Sequence, residues 1–285
     1  MQRATTLRTA IASVLLLAAS APSSSPAAQV TRDFLAAFDH YVRLRESRSQ
    51  QEMASGKHFL SVDTQPPRDR EKSYAALKRG EVIILATQSC GTPNCPDPPG
   101  ALIHDWTALA FIPGVTLSQA LAALQDYDRT AEFYSPQVLR SRLLSRNGDD
   151  FRVYLRLRQK RVLTVVFDTE YDIHDESLDA THAVSTSRST RVAEIEDAGT
   201  SREHTLAPAD DHGFLWRLNS YWRFYQADGG VYVQCNAISL TRDVPITLRL
   251  MVGRFIENIS RESLTFTLTA TRQALLRQFP KAQRP

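Results

Sequence analysis

The sequence lacks the short motifs that mark the commoner enzyme chemistries. No Gly-x-Ser-x-Gly elbow, no His-Glu-x-x-His pair and no phosphate-cradling glycine loop occurs in its 285 residues, so hydrolase, metalloprotease and nucleotide readings find no support. Net charge is also small. Its 34 basic and 31 acidic residues leave +3, too little for an extended polyanion-binding surface, which sets nucleic acid aside. No repeat of fixed period is visible, which excludes a solenoid or propeller. Cysteine is scarce, at three residues, and no second Cys or His pair stands at useful spacing from Cys90 and Cys95. A metal site is therefore not expected, and nothing implies a cofactor.

A long apolar run is absent too. Ile11 to Ala19 is too short to be a good transmembrane span, but Arg3 and Arg8 before it and Ser20 and Ala21 after it give the pattern of an export signal. Cleavage after Ala19-Ser20-Ala21 competes with cleavage at Ser25-Pro26-Ala27, because Pro22 hinders the first; an uncleaved signal anchor is the rival reading. No Cys follows the run, which argues against a lipid anchor. The expectation is export to the periplasm or the extracellular space. In that oxidising setting Cys90 and Cys95 are expected to form a disulfide, leaving Cys235 as a small buried hydrophobe.

What is present divides the chain into a lead-in (1–28), an N-terminal extension (29–100) and a main domain (101–285). Phe34, Phe38, Tyr41, Val42 and Leu44 fit one face of a helix from about Thr31 to Gly56, whose charged face reads as solvated. Ser61 to Lys72, with Pro66-Pro67, reads as a connection, and Val82 to Leu85 as a short strand. The Pro/Gly-rich stretch Cys90 to Gly100 marks either a domain boundary or a long hairpin connection, with the boundary preferred. Leu102 to Ile112 predicts a strand, Thr116 or Ser118 caps a helix carrying Leu117, Leu121 and Leu124, and a second helical piece ends at Pro136.

A run of strands follows. Asn147-Gly148 signals a hairpin, after which Arg152, Arg156 and Arg158 on one strand and Asp168, Glu170 and Asp172 on the next are expected to share one face. The strand Ala183 to Glu196 is rich in Ser and Thr, which fits either a sheet edge or the wall of a wet cavity, with the edge or a solvated place preferred. His104 and Asp105 adjoin Trp106, but strand neighbours point to opposite faces, so the two do not form an acid/base pair with each other.

The last third is the most informative. Phe214, Trp216, Leu218, Trp222 and Phe224 are expected on one strand face and Arg217, Asn219, Tyr221, Arg223 and Tyr225 on the other, with Arg217 and Arg223 in cross-strand pairs. Asp228-Gly229-Gly230 turns the chain back into Val231 to Leu240. A helix then runs from Pro245 to about Leu276, with Leu248, Val252, Phe255, Ile259, Phe266, Ala270 and Ala274 as its apolar stripe and Glu262 at the stripe's edge. At 1.5 Å per residue it is roughly 45 Å long, enough to cross a curved sheet.

Strand, two short helices, about six antiparallel strands and a long terminal helix, with Asp228-Gly229-Gly230-Val231-Tyr232-Val233 before it, resemble the START-like (SRPBCC) superfamily and its polyketide cyclase/dehydrase-like group. The likeness covers roughly Ala101 to Phe279. It implies an α+β helix-grip fold, a curved antiparallel sheet wrapped around the C-terminal helix, and a hydrophobic cavity between the two. Trp216, Leu218, Trp222 and Phe224 from the sheet, with Val252, Phe255 and Ile259 from the helix, are the expected lining. The expected partner is an apolar small molecule or lipid; membrane or envelope association stays open. The alternatives are a cyclase- or dehydratase-like enzyme using the same cavity, marked by a buried His, Asp or Arg facing it, and an envelope interaction module with a filled core.

Overall fold

The computed structural model describes residues 32–54, 56, 58–86, 100–160, 164–207, 210–243 and 246–280, with side chains of the terminal helix described from residue 261 onward. Its strands are β1 (Ile83–Ala86), β2 (Ala101–Pro113), β3 (Val138–Asn147), β4 (Asp150–Lys160), β5 (Thr164–Ser177), β6 (His182–Glu196), β7 (His204–Thr205), β8 (Arg217–Ala227) and β9 (Gly230–Arg242). Its helices are α1 (Arg32–Ala54), α2 (Pro67–Lys78), α3 (Leu117–Leu124), α4 (Thr130–Phe133) and α5 (Ile246–Gln278), with 3-10 turns at Ser61–Thr64 and Tyr127–Arg129. The strands form one antiparallel sheet in the order β1-β2-β9-β8-β6-β5-β4-β3, with β7 beside β6. This is the helix-grip α+β arrangement.

Local chemistry sets the elements. Asp228 and Gly229 both take positive φ, 53° and 72°, the requirement of a two-residue turn matched to strand twist. Thr116 caps α3 in a capping box with Gln119. The charge rows meet as expected: Arg156 bonds Asp168 at 2.8 Å and Arg152 bonds Glu170 at 2.9 Å, while Arg158 stands opposite Val166.

On the inner face, the last turns of α5 lie over β2 and β9, where Ala108 and Ala110 leave room for Leu264, Leu268 and Leu275. The described buried face of α5 includes Leu264, Leu268, Ala270, Thr271, Ala274 and Leu275; of the expected stripe Ala270 and Ala274 are on it, Phe266 is half-buried, and the side chains of Leu248, Val252, Phe255 and Ile259 fall outside the described residues, while Glu262 is exposed.

The outer face of the same strands is covered as well. Phe38, Tyr41 and Val42 of α1 pack on Ile103, Ile238 and Leu240, and the 3-10 turn with α2 covers Leu109, Phe111 and Tyr232 through Leu60, Val62 and Leu77. Three expectations are corrected here. Ser61 to Lys72 is not a plain connection, because Pro67 starts α2. Leu44 is exposed at 47%. The charged side of α1 is not simply solvated: Arg45 bonds Asp105 at 2.7 Å, and Glu46 accepts from Arg188 at 2.6 Å and from Tyr221 at 2.8 Å. These pairs answer the polar outer row of the sheet, whose groups need partners once α1 covers them. Among the described residues no helix is long and apolar enough to cross a membrane.

Candidate functional site

Strand β6 is the pivot of the site. It sits inside the sheet between β5 and β8, so the preference for an edge is corrected, and Ser185 and Ser187 face inward. On this side of the sheet the described part of α5 leaves some of the concavity open. The inner residues of β8, β6, β5 and β4 instead face a cavity of about 380 Å³. Leu218, Trp222 and Phe224 line it from β8, Tyr171 and Ile173 from β5, and Val153 and Leu155 from β4. Leu121, Leu124, Tyr127 and Tyr134 close one side, and Leu264, Phe266 and Thr267 of α5 another.

Of the expected lining residues, Leu218, Trp222 and Phe224 are there; Trp216 is not. It packs under α1, stacked on Phe34 at 5.9 Å, with its indole N–H bonded to Asp211 at 3.0 Å. The cause is a local irregularity. Trp216 N–H donates to Leu240 O while Arg217 is also paired with Leu240, so two residues address one and the alternation breaks before β8 begins. Val252, Phe255 and Ile259 lie on the α5 backbone, but their side chains fall outside the described residues, as do Cys90 and Cys95. Cys235 is buried at the cavity wall, and burial pushes its thiol pKa up.

Arg217 and Arg223 do not form the expected cross-strand pairs. Arg217 donates to Trp216 O at 3.0 Å; Arg223 donates to Phe59 O and Ser49 Oγ, both at 2.6 Å, beneath α1. Burial lowers the Arg223 pKa. His104 bonds Thr241 Oγ1 at 3.0 Å, while Asp105 points to the opposite face and Trp106 into the cavity. No cluster among the described residues suits a metal ion.

Polar side chains punctuate the cavity wall, among them Gln125, Tyr134, Asp175, Ser185, Ser187 and Ser220. Tyr134 OH meets Thr271 Oγ1 at 2.9 Å; the Thr271 hydroxyl donates to Thr267 O at 2.8 Å, which leaves Tyr134 as donor. Burial pushes the Tyr134 and Tyr171 phenols up to about 12. Burial, then the nearby Asp175 carboxylate, pushes Tyr127 higher still. Asp175 was not singled out in the sequence, where it reads as one more residue of an acidic strand end; Gln125 donates to it at 2.8 Å.

By architecture the chain is a helix-grip α+β protein, with one antiparallel sheet packed on a long C-terminal helix. Solved structures similar to it include a STAR-related lipid transfer protein fragment from Xanthomonas axonopodis, 18% identical, covering 63% of this chain and 95% of that one at TM-score 0.40. The Zhui aromatase/cyclase from a Streptomyces species is 13% identical over 62% of this chain and 95% of its own, at TM-score 0.41. A START superfamily protein from Mycobacterium smegmatis is 9% identical over 62% and 98%, at TM-score 0.39. No protein-family model matches the sequence, and no curated protein does.

Proposed function

We propose that the chain binds an apolar small molecule or lipid, without covalent chemistry, in the cavity between sheet and terminal helix. The cavity itself supports this reading. A volume of about 380 Å³ falls within the ~300–1,000 Å³ range of small-molecule sites, and the surface its wall exposes is mostly apolar, with polar side chains set into it. Unfilled apolar volume destabilises a protein by about 24 cal/mol per Å³ in engineered cavities, so a void of this size is best explained by an occupant. A filled-core interaction module accounts for it less well.

The cyclase- or dehydratase-like reading has one observation in its favour, the buried Asp175 carboxylate in the wall. Asp175 is held by the Gln125 amide, and no described His or Lys lines the cavity beside it. Binding is therefore the preferred reading. Native mass spectrometry of protein purified from its own host, with titration of a fluorescent sterol or fatty acid, tests it. A co-purifying apolar molecule and saturable one-to-one binding are expected. Failure of every apolar probe to bind overturns it.

A further inference from the structure

Asp175 lies near the end of β5, 8% exposed, in the cavity wall. Its backbone is fixed by the bond from its N–H to Asp149 O at 3.0 Å, and its Oδ2 accepts from Gln125 Nε2 at 2.8 Å. Its other carboxylate oxygen, Oδ1, is buried and has no hydrogen-bond partner. Among the described residues no Lys, Arg or His forms an ion pair with it. Ser185 is its cross-strand partner and also faces the cavity. A buried carboxylate oxygen without a donor is unfavourable, and it becomes favourable when something brings one.

We infer that the occupant carries a hydroxyl or amine group at one end and that this group donates to Asp175 Oδ1. The inference rests on the binding reading above and narrows it to a class of ligand, an apolar body with a hydrogen-bond donor head. A carboxylate or phosphate head placed there would meet a like charge, and among the described residues no cation is ion-paired with Asp175 to offset it. Arg158, in the outer row with Arg152 and Arg156, stands opposite Val166, nine residues along β5 from Asp175, or about 30 Å at ~3.3 Å per residue, too far to offset its charge.

Matched twelve-carbon probes separate these cases: dodecanol, dodecylamine, dodecanoate and methyl dodecyl ether, each displacing a fluorescent apolar probe from the full chain. Dodecanol or dodecylamine should compete about ten-fold better than the ether and dodecanoate, the scale of one hydrogen bond to a charged acceptor. Asp175→Leu should abolish that preference and leave ether binding in place. Should Asp175→Leu fail to fold, Asp175→Asn serves: the amine should lose about ten-fold relative to the ether. Dodecanoate competing as well as the alcohol and amine overturns the inference, as does a preference that survives both substitutions. If the ether binds and no head group matters, this inference falls while the binding reading stands. If no probe binds, both fall.

Discussion

Arg45 donates its Nε to Asp105 Oδ2 at 2.7 Å, and the Asp105 side chain is wholly shut off from solvent. The same carboxylate accepts from Tyr41 OH and from Asn236 Nδ2, both at 2.6 Å. One residue of β2 thus ties α1 to the sheet's outer face. Breaking a buried pair from one side leaves a charge without compensation, at about 3–5 kcal/mol. Asp105→Ala should destabilise by that amount in urea unfolding, and Asp105→Asn by less. A loss below about 1 kcal/mol would mean that α1 is not anchored there.

Gly230 gives a second prediction. A Cβ on it would run into the carbonyl oxygen of Ile112 and stand 2.7 Å from the Phe111 ring, and the backbone has no easy way to yield. Gly230→Ala should lower stability by about 1–3 kcal/mol, as overpacking does. Gly148→Ala meets nothing within 4 Å and is opposed only by its φ of 61°, so its loss should be smaller.

Asp168 predicts a pH dependence. Burial opposes its charge, but bonds from Arg156 and Tyr154 outweigh that and hold its pKa below the usual carboxylate value. A depressed folded pKa contributes stability that is present above the unfolded value of about 3.9 and is lost as pH falls through the folded one. Wild type should therefore lose this contribution only below about pH 4. In Arg156→Met burial is left less opposed, and the acid unfolding midpoint should move to higher pH. An unchanged midpoint would show that the pair contributes nothing to acid stability.

The three tryptophans should divide by position. Trp106 and Trp222 line the cavity; Trp216 sits under α1. An apolar ligand should change the emission of the Trp216→Phe variant. It should leave the Trp106→Phe/Trp222→Phe double variant nearly silent. The reverse pattern would place the ligand elsewhere.

Export and the Cys90–Cys95 link remain proposals, and a thiol count tests both. Denatured protein from its host should show one free thiol, Cys235. Three free thiols would remove the disulfide and the export reading it depends on.

Much of this architecture was legible because its signals are local. The β8–β9 hairpin declares itself in two alternating runs and a turn whose φ values only certain residues tolerate. The α1 contacts were hidden for the opposite reason: Arg45, Glu46 and Ser49 find partners 60, 142 and 174 positions away, and nothing beside them distinguishes a paired charge from a solvated one. The serines of β6 narrowed its place to two options. The choice depended on β8 returning alongside it, which composition does not encode. Trp216 was misplaced because alternation was carried across an irregular step. Asp175 could not be picked out, since what distinguishes it is an oxygen left without a partner.

The two halves of the sheet are clad differently, and that has a mechanical consequence. Strands β2 and β9 are sandwiched between α5 on one side and α1, α2 and the 3-10 turn on the other. Strands β5 and β4 face the cavity within and carry the ion-pair rows of Arg152, Arg156, Asp168 and Glu170 without. Opening free energy follows buried contact, so the first half is a stiff frame and the second a compliant wall. Amide exchange should be slowest along β2 and β9 and faster along β4 and β5, and an occupant should slow it most where the wall gives.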